Sequence, residues 1–265
     1  MRRVVFTQKG GVGKSSIACN LAAISAQQGL RTLVLDLDVQ GNATQYLLQK
    51  PLSELRDTVE DLFEQSLSIN FLSKKGPESY VHPTRYANLS MIPAGAGLDY
   101  LAGKLEARQK VYKLREALKA LGRSFDRIYI DTPPAINFYT RSALISAERC
   151  LVPFVCDSFS RQAHYQVLET IAELKEDHNP SLADEGIVVN QFQPQAKLPR
   201  RFMEELVDEG LPVLPCYLGA SVKMRESHDQ HEPLIHLAPT HKLTLQFIEL
   251  FQVIEGRGGK QRAAS

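Results

Sequence analysis

Short, unbroken apolar runs alternate along this chain with longer stretches in which apolar residues return at helical spacing. Val4-Val5-Phe6, Thr32 to Leu35, Asn88 to Pro93, Phe125 to Ile130, Arg149 to Val155, Gly186 to Val189 and Leu211 to Pro215 are the strand candidates. Runs that are apolar at consecutive positions are buried on both faces, the habit of parallel strands covered by helices. Between them, Ile17 to Gln28, Thr58 to Glu64, about Leu98 to Leu121, Arg161 to Lys175 and Thr240 to Ile254 carry the helical period, with Gly29 as a stop for the first. Strands alternating with helices predict an α/β fold: a mostly parallel twisted sheet with helices on both faces. Lys74-Lys75-Gly76-Pro77 reads as an exposed turn, and residues 45–86 are otherwise the least readable stretch. No linker divides residues 1–255, which are expected to form a single domain, and the polar stretch 256–265 reads as a flexible tail.

Composition narrows the classes. With 43% hydrophobic and 23% charged residues, the chain has the make-up of a soluble protein with ample core. A net charge of +1 excludes a wholesale basic surface, so any nucleic-acid contact must come from a local patch. Cys19, Cys150, Cys156 and Cys216 form no C-x-x-C pair and are expected as reduced thiols of a cytoplasmic protein. No apolar run is long enough to predict a signal peptide or a membrane span. His228-x-x-His231, His236 and His241 show no metal site by spacing alone.

The chemistry concentrates where strands end. Lys9-Gly10-Gly11-Val12-Gly13-Lys14-Ser15-Ser16 lies between the first strand and the first helix. Glycines there let successive N–H groups converge on phosphate oxygens, and the helix N-terminus adds partial positive charge. Lys14 can then neutralise β- and γ-phosphates while Ser15 offers its hydroxyl to Mg²⁺. Asp36-Leu37-Asp38 ends the second strand, where two carboxylates can address a metal–phosphate group. Asp131 ends another strand before Thr132-Pro133-Pro134, placed to hold a magnesium-bound water. Gly95 and Gly97 are followed by no G-K-[ST] and are read as chain breakers.

Lys9-Gly-Gly-Val-Gly-Lys14-Ser15 resembles the deviant P-loop of the ParA/MinD ATPases, meeting G-x-x-x-x-G-K-[ST] loosely because Gln8 stands at the first glycine position. Asp36 to Thr44 is similar to the switch I segment of ParA-like proteins, with Val39 in place of the usual proline, and Asp131-Thr-Pro-Pro to their switch II. The resemblance implies a P-loop ATPase fold, with ATP and Mg²⁺ as cofactors. Its implied catalytic residues are Lys9 (acting across a dimer interface), Lys14 and Asp38 (orienting water). Implied nucleotide contacts are Gly10, Gly11, Val12, Gly13, Lys14, Ser15, Ser16, Asn190 (toward adenine) and Pro215, and implied metal residues are Ser15, Asp36 and Asp131.

It further implies an ATP-dependent homodimer on nonspecific DNA, a ParB-like partner that stimulates hydrolysis, and nucleoid association in the cytoplasm, in the service of positioning a plasmid, chromosome or protein cluster. Lys197, Arg200, Arg201, Lys223 and Arg225 are the DNA-contact candidates; Cys216-Tyr217 stands where many chromosome-partitioning relatives carry arginine and asparagine, so either the DNA contacts are moved to these neighbouring basic residues or the protein binds a different surface. Two alternatives share the fold. A MinD-like membrane switch calls for a basic amphipathic C-terminal helix, which the glycine-broken tail does not predict. A metabolic ATP-dependent ligase calls for a second substrate.

Overall fold

The computed structural model describes residues 1–68, 74–156 and 160–256. Its centre is an eight-stranded sheet: β1 (Arg2–Val5), β2 (Thr32–Asp36), β3 (His82–Pro83), β4 (Leu89–Ile92), β5 (Arg127–Asp131), β6 (Arg149–Val155), β7 (Ala183–Phe192) and β8 (Val213–Gly219). The strand order is β3-β4-β2-β5-β1-β6-β7-β8, and every pairing is parallel except β3 with β4. Strand order reverses about β1, where open α/β sheets form a crevice beyond their carboxyl ends.

The consecutive apolar runs serve two cores. Val4, Leu33, Leu35, Ile128 and Ile130 face one side, and Val5, Val34 and Tyr129 the other. The first side is covered by α3 (Val59–Leu67), α4 (Leu98–Ala107), α5 (Lys113–Leu121), α6 (Phe138–Ser146) and α7 (Ser160–Asp177). The second is covered by α1 (Lys14–Gln27), α2 (Asn42–Leu48), α10 (Leu234–Leu237) and α11 (Lys242–Ile254). Two further helices, α8 (Lys197–Asp208) and α9 (Val222–Asp229), flank β8 in sequence.

Local expectations meet their physical causes here. Helix α3 starts at a capping box in which Thr58 and Asp61 satisfy each other's backbone groups. The single helix expected from Leu98 to Leu121 is two. Gln109 adopts φ 52°, and the amides of Gln109 and Lys110 turn back onto the carbonyls of Glu106 and Leu105. That is a Schellman stop made without glycine, so no sequence signal marks it. Gly95 and Gly97 serve a close approach: the Gly97 amide donates to Glu60 Oε2 at 2.7 Å, and a Cβ at Gly97 would lie 2.1 Å from Glu60 Oε1. Residues 257–265, most of the expected tail, lie outside the described residues. Among the described residues no helix is long and apolar enough to cross a membrane.

Candidate functional site

Helix α1 begins at Lys14, ahead of its apolar period, because Gly13 turns the chain with φ 89°. No side chain caps this end, so the first-turn N–H groups, which lack intrahelical partners, face an open cavity. A Cβ on Gly13 would meet Asn190 Nδ2 at 2.5 Å, so the position requires glycine twice over. Lys14 is buried, and its Nζ donates to the Lys9 carbonyl at 3.1 Å across the loop. Burial lowers its pKa, while the Asp131 and Asp38 carboxylates oppose that shift.

Asp36 and Asp131 are register partners on adjacent strands β2 and β5, both with no exposed surface. Their hydrogen bonding separates them. Asp36 Oδ2 accepts from the Thr44 amide (2.9 Å) and hydroxyl (2.7 Å), and Oδ1 accepts from the Asp38 amide (3.1 Å). Burial still pushes its pKa up to about 6. Neither oxygen of Asp131 has a hydrogen-bond partner. Burial, then the Asp36 charge, raises its pKa well above the usual range, with the nearby Ser15 hydroxyl and Lys14 ammonium acting the other way. Two such carboxylates keep both charges only beside a cation. Asp131 and Ser15 therefore fit a hard divalent ion. Asp36, also expected near the metal, has both oxygens engaged and holds the backbone at Asp38 and Thr44. Asp38 itself lines the cavity, with Oδ1 accepting from the Gln40 amide at 3.0 Å.

The cavity, about 640 Å³, brings together Gly10, Gly11, Gly13, Lys14, Ser15, Ser16 and Asp38 with Asn190, Gly219 to Ser221 and the α9 residues Met224, Arg225 and His228. Asn190 stands over the loop. Its Nδ2 donates to the Val12 carbonyl at 2.8 Å and its Oδ1 accepts from the Gln191 amide, so the amide expected to face a base holds the loop here. Gln191, which the sequence did not single out, adds a bond from Nε2 to the Gly11 carbonyl at 3.1 Å. Pro215 is exposed within β8 and lies outside the cavity wall, which takes Gly219 from that strand instead. The DNA-contact candidates divide: Lys197, Arg200 and Arg201 on α8, Lys223 and Arg225 on α9. Arg201 pairs with Glu205 and Lys223 with Glu226, whereas Arg225 lines the cavity. The histidines form no metal cluster among the described residues; His228 instead bonds Ser16. That contact joins positions 212 residues apart, which no local pattern announces.

A family model described as "AAA domain" matches residues 3–184. The chromosome partitioning protein ParA of Myxococcus xanthus is 33% identical over 203 residues, covering 76% of this chain and 69% of that one. Cobyrinic acid a,c-diamide synthase from Mycobacterium smegmatis, solved with ADP and magnesium, is 26% identical with a TM-score of 0.75, covering 91% of this chain and 97% of that one. An ATP complex of Cyanothece McdA, 21% identical and covering 96% of each chain, superposes at a TM-score of 0.83, a likeness of fold. With the family model spanning most of the chain and the glycine loop, Asp38 and Asp131 gathered at one end of the sheet, the chain belongs to the ParA/MinD family of P-loop ATPases.

Proposed function

We propose that this chain is a magnesium-dependent ATPase whose ATP-bound form is a homodimer that positions a cargo on DNA. Asp131 carries the reading: a buried carboxylate with two unpartnered oxygens, beside Ser15 and Lys14 at an uncapped helix N-terminus. A polyphosphate together with a hard cation satisfies all of these groups, and neither alone does. In this reading the amides from Gly10 to Ser16, Val12 included, and the Lys14 ammonium hold the phosphates. Ser15 and Asp131 hold Mg²⁺, which when bound neutralises charge on the β- and γ-oxygens. Asp38 orients the attacking water, and Asp36 holds Asp38 in place through its amide.

Charge grows on the phosphoryl oxygens during transfer, so a cation that engages only then adds most to rate. Lys9 of a second copy is that cation. The loop after Asp131 supports such a face, with Pro134 beside Gly10 and Ile136 exposed. Asn190 and the Gly219 to Ser221 turn form the base end of the cavity. DNA contact rests on Lys197, Arg200, Arg201 and Lys223, and weakens steeply with salt. A ParB-like partner accelerates hydrolysis, and the dimer works on the nucleoid in the cytoplasm. The likeness to a diamide synthase favours one rival, an ATP-dependent ligase.

Light scattering with saturating Mg²⁺ and a non-hydrolysable ATP analogue tests the reading, alongside ATPase assays with and without DNA. The expected result is a dimer and slow hydrolysis with no organic co-substrate, both lost in Lys9→Ala. A persistent monomer, or Lys9→Ala behaving as wild type, would sink the dimer reading. Hydrolysis that requires a carboxylic-acid substrate would favour the ligase.

A further inference from the structure

Ser16 follows Ser15 on the first turn of α1 and lines the same cavity. Its Oγ shares a 2.8 Å hydrogen bond with His228 Nε2. His228 lies on the α9 face that also brings Met224 and Arg225 to the cavity.

The imidazole is held there by its neighbours. The buried Ser227 hydroxyl shares a 2.5 Å bond with the Tyr46 hydroxyl and donates to the Glu232 carbonyl at 2.6 Å. Tyr46 sets its ring edge-on to His228, with centroids 5.5 Å apart. Asn20, also buried, ties the same junction to the loop: its Nδ2 donates to the Ser16 carbonyl at 2.8 Å and to the Tyr46 hydroxyl at 3.3 Å, and its Oδ1 accepts from the Leu234 amide at 2.8 Å. Ser16 is thus fixed at its carbonyl through Asn20 and at its hydroxyl through His228, and both supports rest on one buried polar knot. A side chain placed so by a packed junction is preorganised for a ligand at that hydroxyl.

We infer that His228 is a nucleotide-positioning residue: through Ser16 it reads the inner phosphate of a bound nucleoside di- or triphosphate, and it takes up a proton as that phosphate arrives. The inference rests on the phosphate-binding reading above. His228 is exposed on its outer side; partial desolvation of the ring against the cavity wall, then the His231 charge, lowers its pKa from the ordinary 6.5, so the imidazole is neutral near pH 7.5 without a phosphate beside it. Around it stand neutral Ser16 from α1, Tyr46 from α2 with its hydroxyl pKa raised, and Arg225 and His231 on the cavity wall. Lys14 and Asp38 line the same cavity, and Glu232 faces Arg85. None of the carboxylates is a hydrogen-bond partner of the imidazole, so an arriving phosphate supplies the negative charge that favours imidazolium.

The test is calorimetry of MgADP binding between about pH 6 and pH 8, in paired buffers of different ionisation enthalpy, which count protons taken up. Wild type should absorb a fraction of a proton per ADP. Its affinity should gain about three- to tenfold toward low pH relative to His228→Gln, because each unit of pKa rise on binding is tenfold in linkage. His228→Gln should bind more weakly with a flat proton count, and His228→Ala more weakly still. Thermal melts confirm that the variants are folded. Should a His228 variant fail to fold, Ser16→Ala reports the same linkage and should also lose the proton uptake. Variants that bind MgADP with the wild-type proton count overturn the inference while leaving the phosphate site intact. If wild type binds no MgADP, the phosphate-binding reading fails and this inference fails with it.

Discussion

Replacing Asp131 by asparagine should remove a pH-dependent liability from the folded protein. In the unfolded chain the carboxyl has its ordinary pKa of 3.8; in the folded chain burial, then the Asp36 charge, raises it well above that. The folded state therefore keeps a proton that the unfolded state has released, and stability falls as pH rises through that window. One proton is worth at most about 1.4 kcal/mol per pH unit, so as pH rises above the unfolded value the wild type loses stability that Asp131→Asn keeps, until the folded carboxyl ionises as well. The asparagine has its own cost, about 1–3 kcal/mol for a buried amide without partners, but that cost does not vary with pH. The diagnostic is consequently the slope of the difference, not its sign at one pH. Urea unfolding of both proteins in EDTA across that range measures it. The gap should move steadily in favour of asparagine as pH rises from about pH 4, with a slope of at most about 1.4 kcal/mol per pH unit. Parallel stability profiles would refute the assignment of a buried, proton-holding Asp131. Adding MgADP at about pH 7.5 should raise the wild-type midpoint and leave Asp131→Asn unmoved.

Two further outcomes test the frame that holds the site. Gly97→Ala should cost about 2 kcal/mol by expelling Glu60 from its bond to the Gly97 amide, Glu60→Ala about the same, and the double variant little more than either; additive urea-unfolding costs would refute the contact. At the far end of the sheet the buried Arg3 guanidinium donates to Glu185 at 2.7 Å and to Glu255 at 3.2 Å. Glu185→Ala should cost about 3 kcal/mol in unfolding experiments while leaving MgADP affinity of the folded protein unchanged, and a loss below about 1 kcal/mol would show the guanidinium to be satisfied without it.

How far the site was legible follows from where its information sits. The loop from Lys9 to Ser16 and the acids closing β2 and β5 could be read because strand, turn and helix start are encoded in adjacent residues, and parallel strands deliver their ends to one edge. What escaped reading depends on partners distant in sequence. Nothing near Gly97 announces Glu60, and nothing near Ser16 announces His228. Gln109 stops a helix in a conformation that usually calls for glycine. The two buried aspartates make the same point within the site itself. As letters, Asp36 and Asp131 are equivalent strand-end carboxylates, and either could face a metal. Thr44, eight residues beyond Asp36, closes its hydroxyl and amide on that side chain alone, while the hydroxyl also accepts from the Ala94 amide. One carboxylate is thereby tied to the turn that carries Asp38 and to the chain leaving β4, and the other is left with open oxygens beside Ser15 and Lys14. The difference in hydrogen bonding between the two acids is set by a threonine, and it makes Thr44→Val the substitution that should loosen Asp38 without touching Asp131.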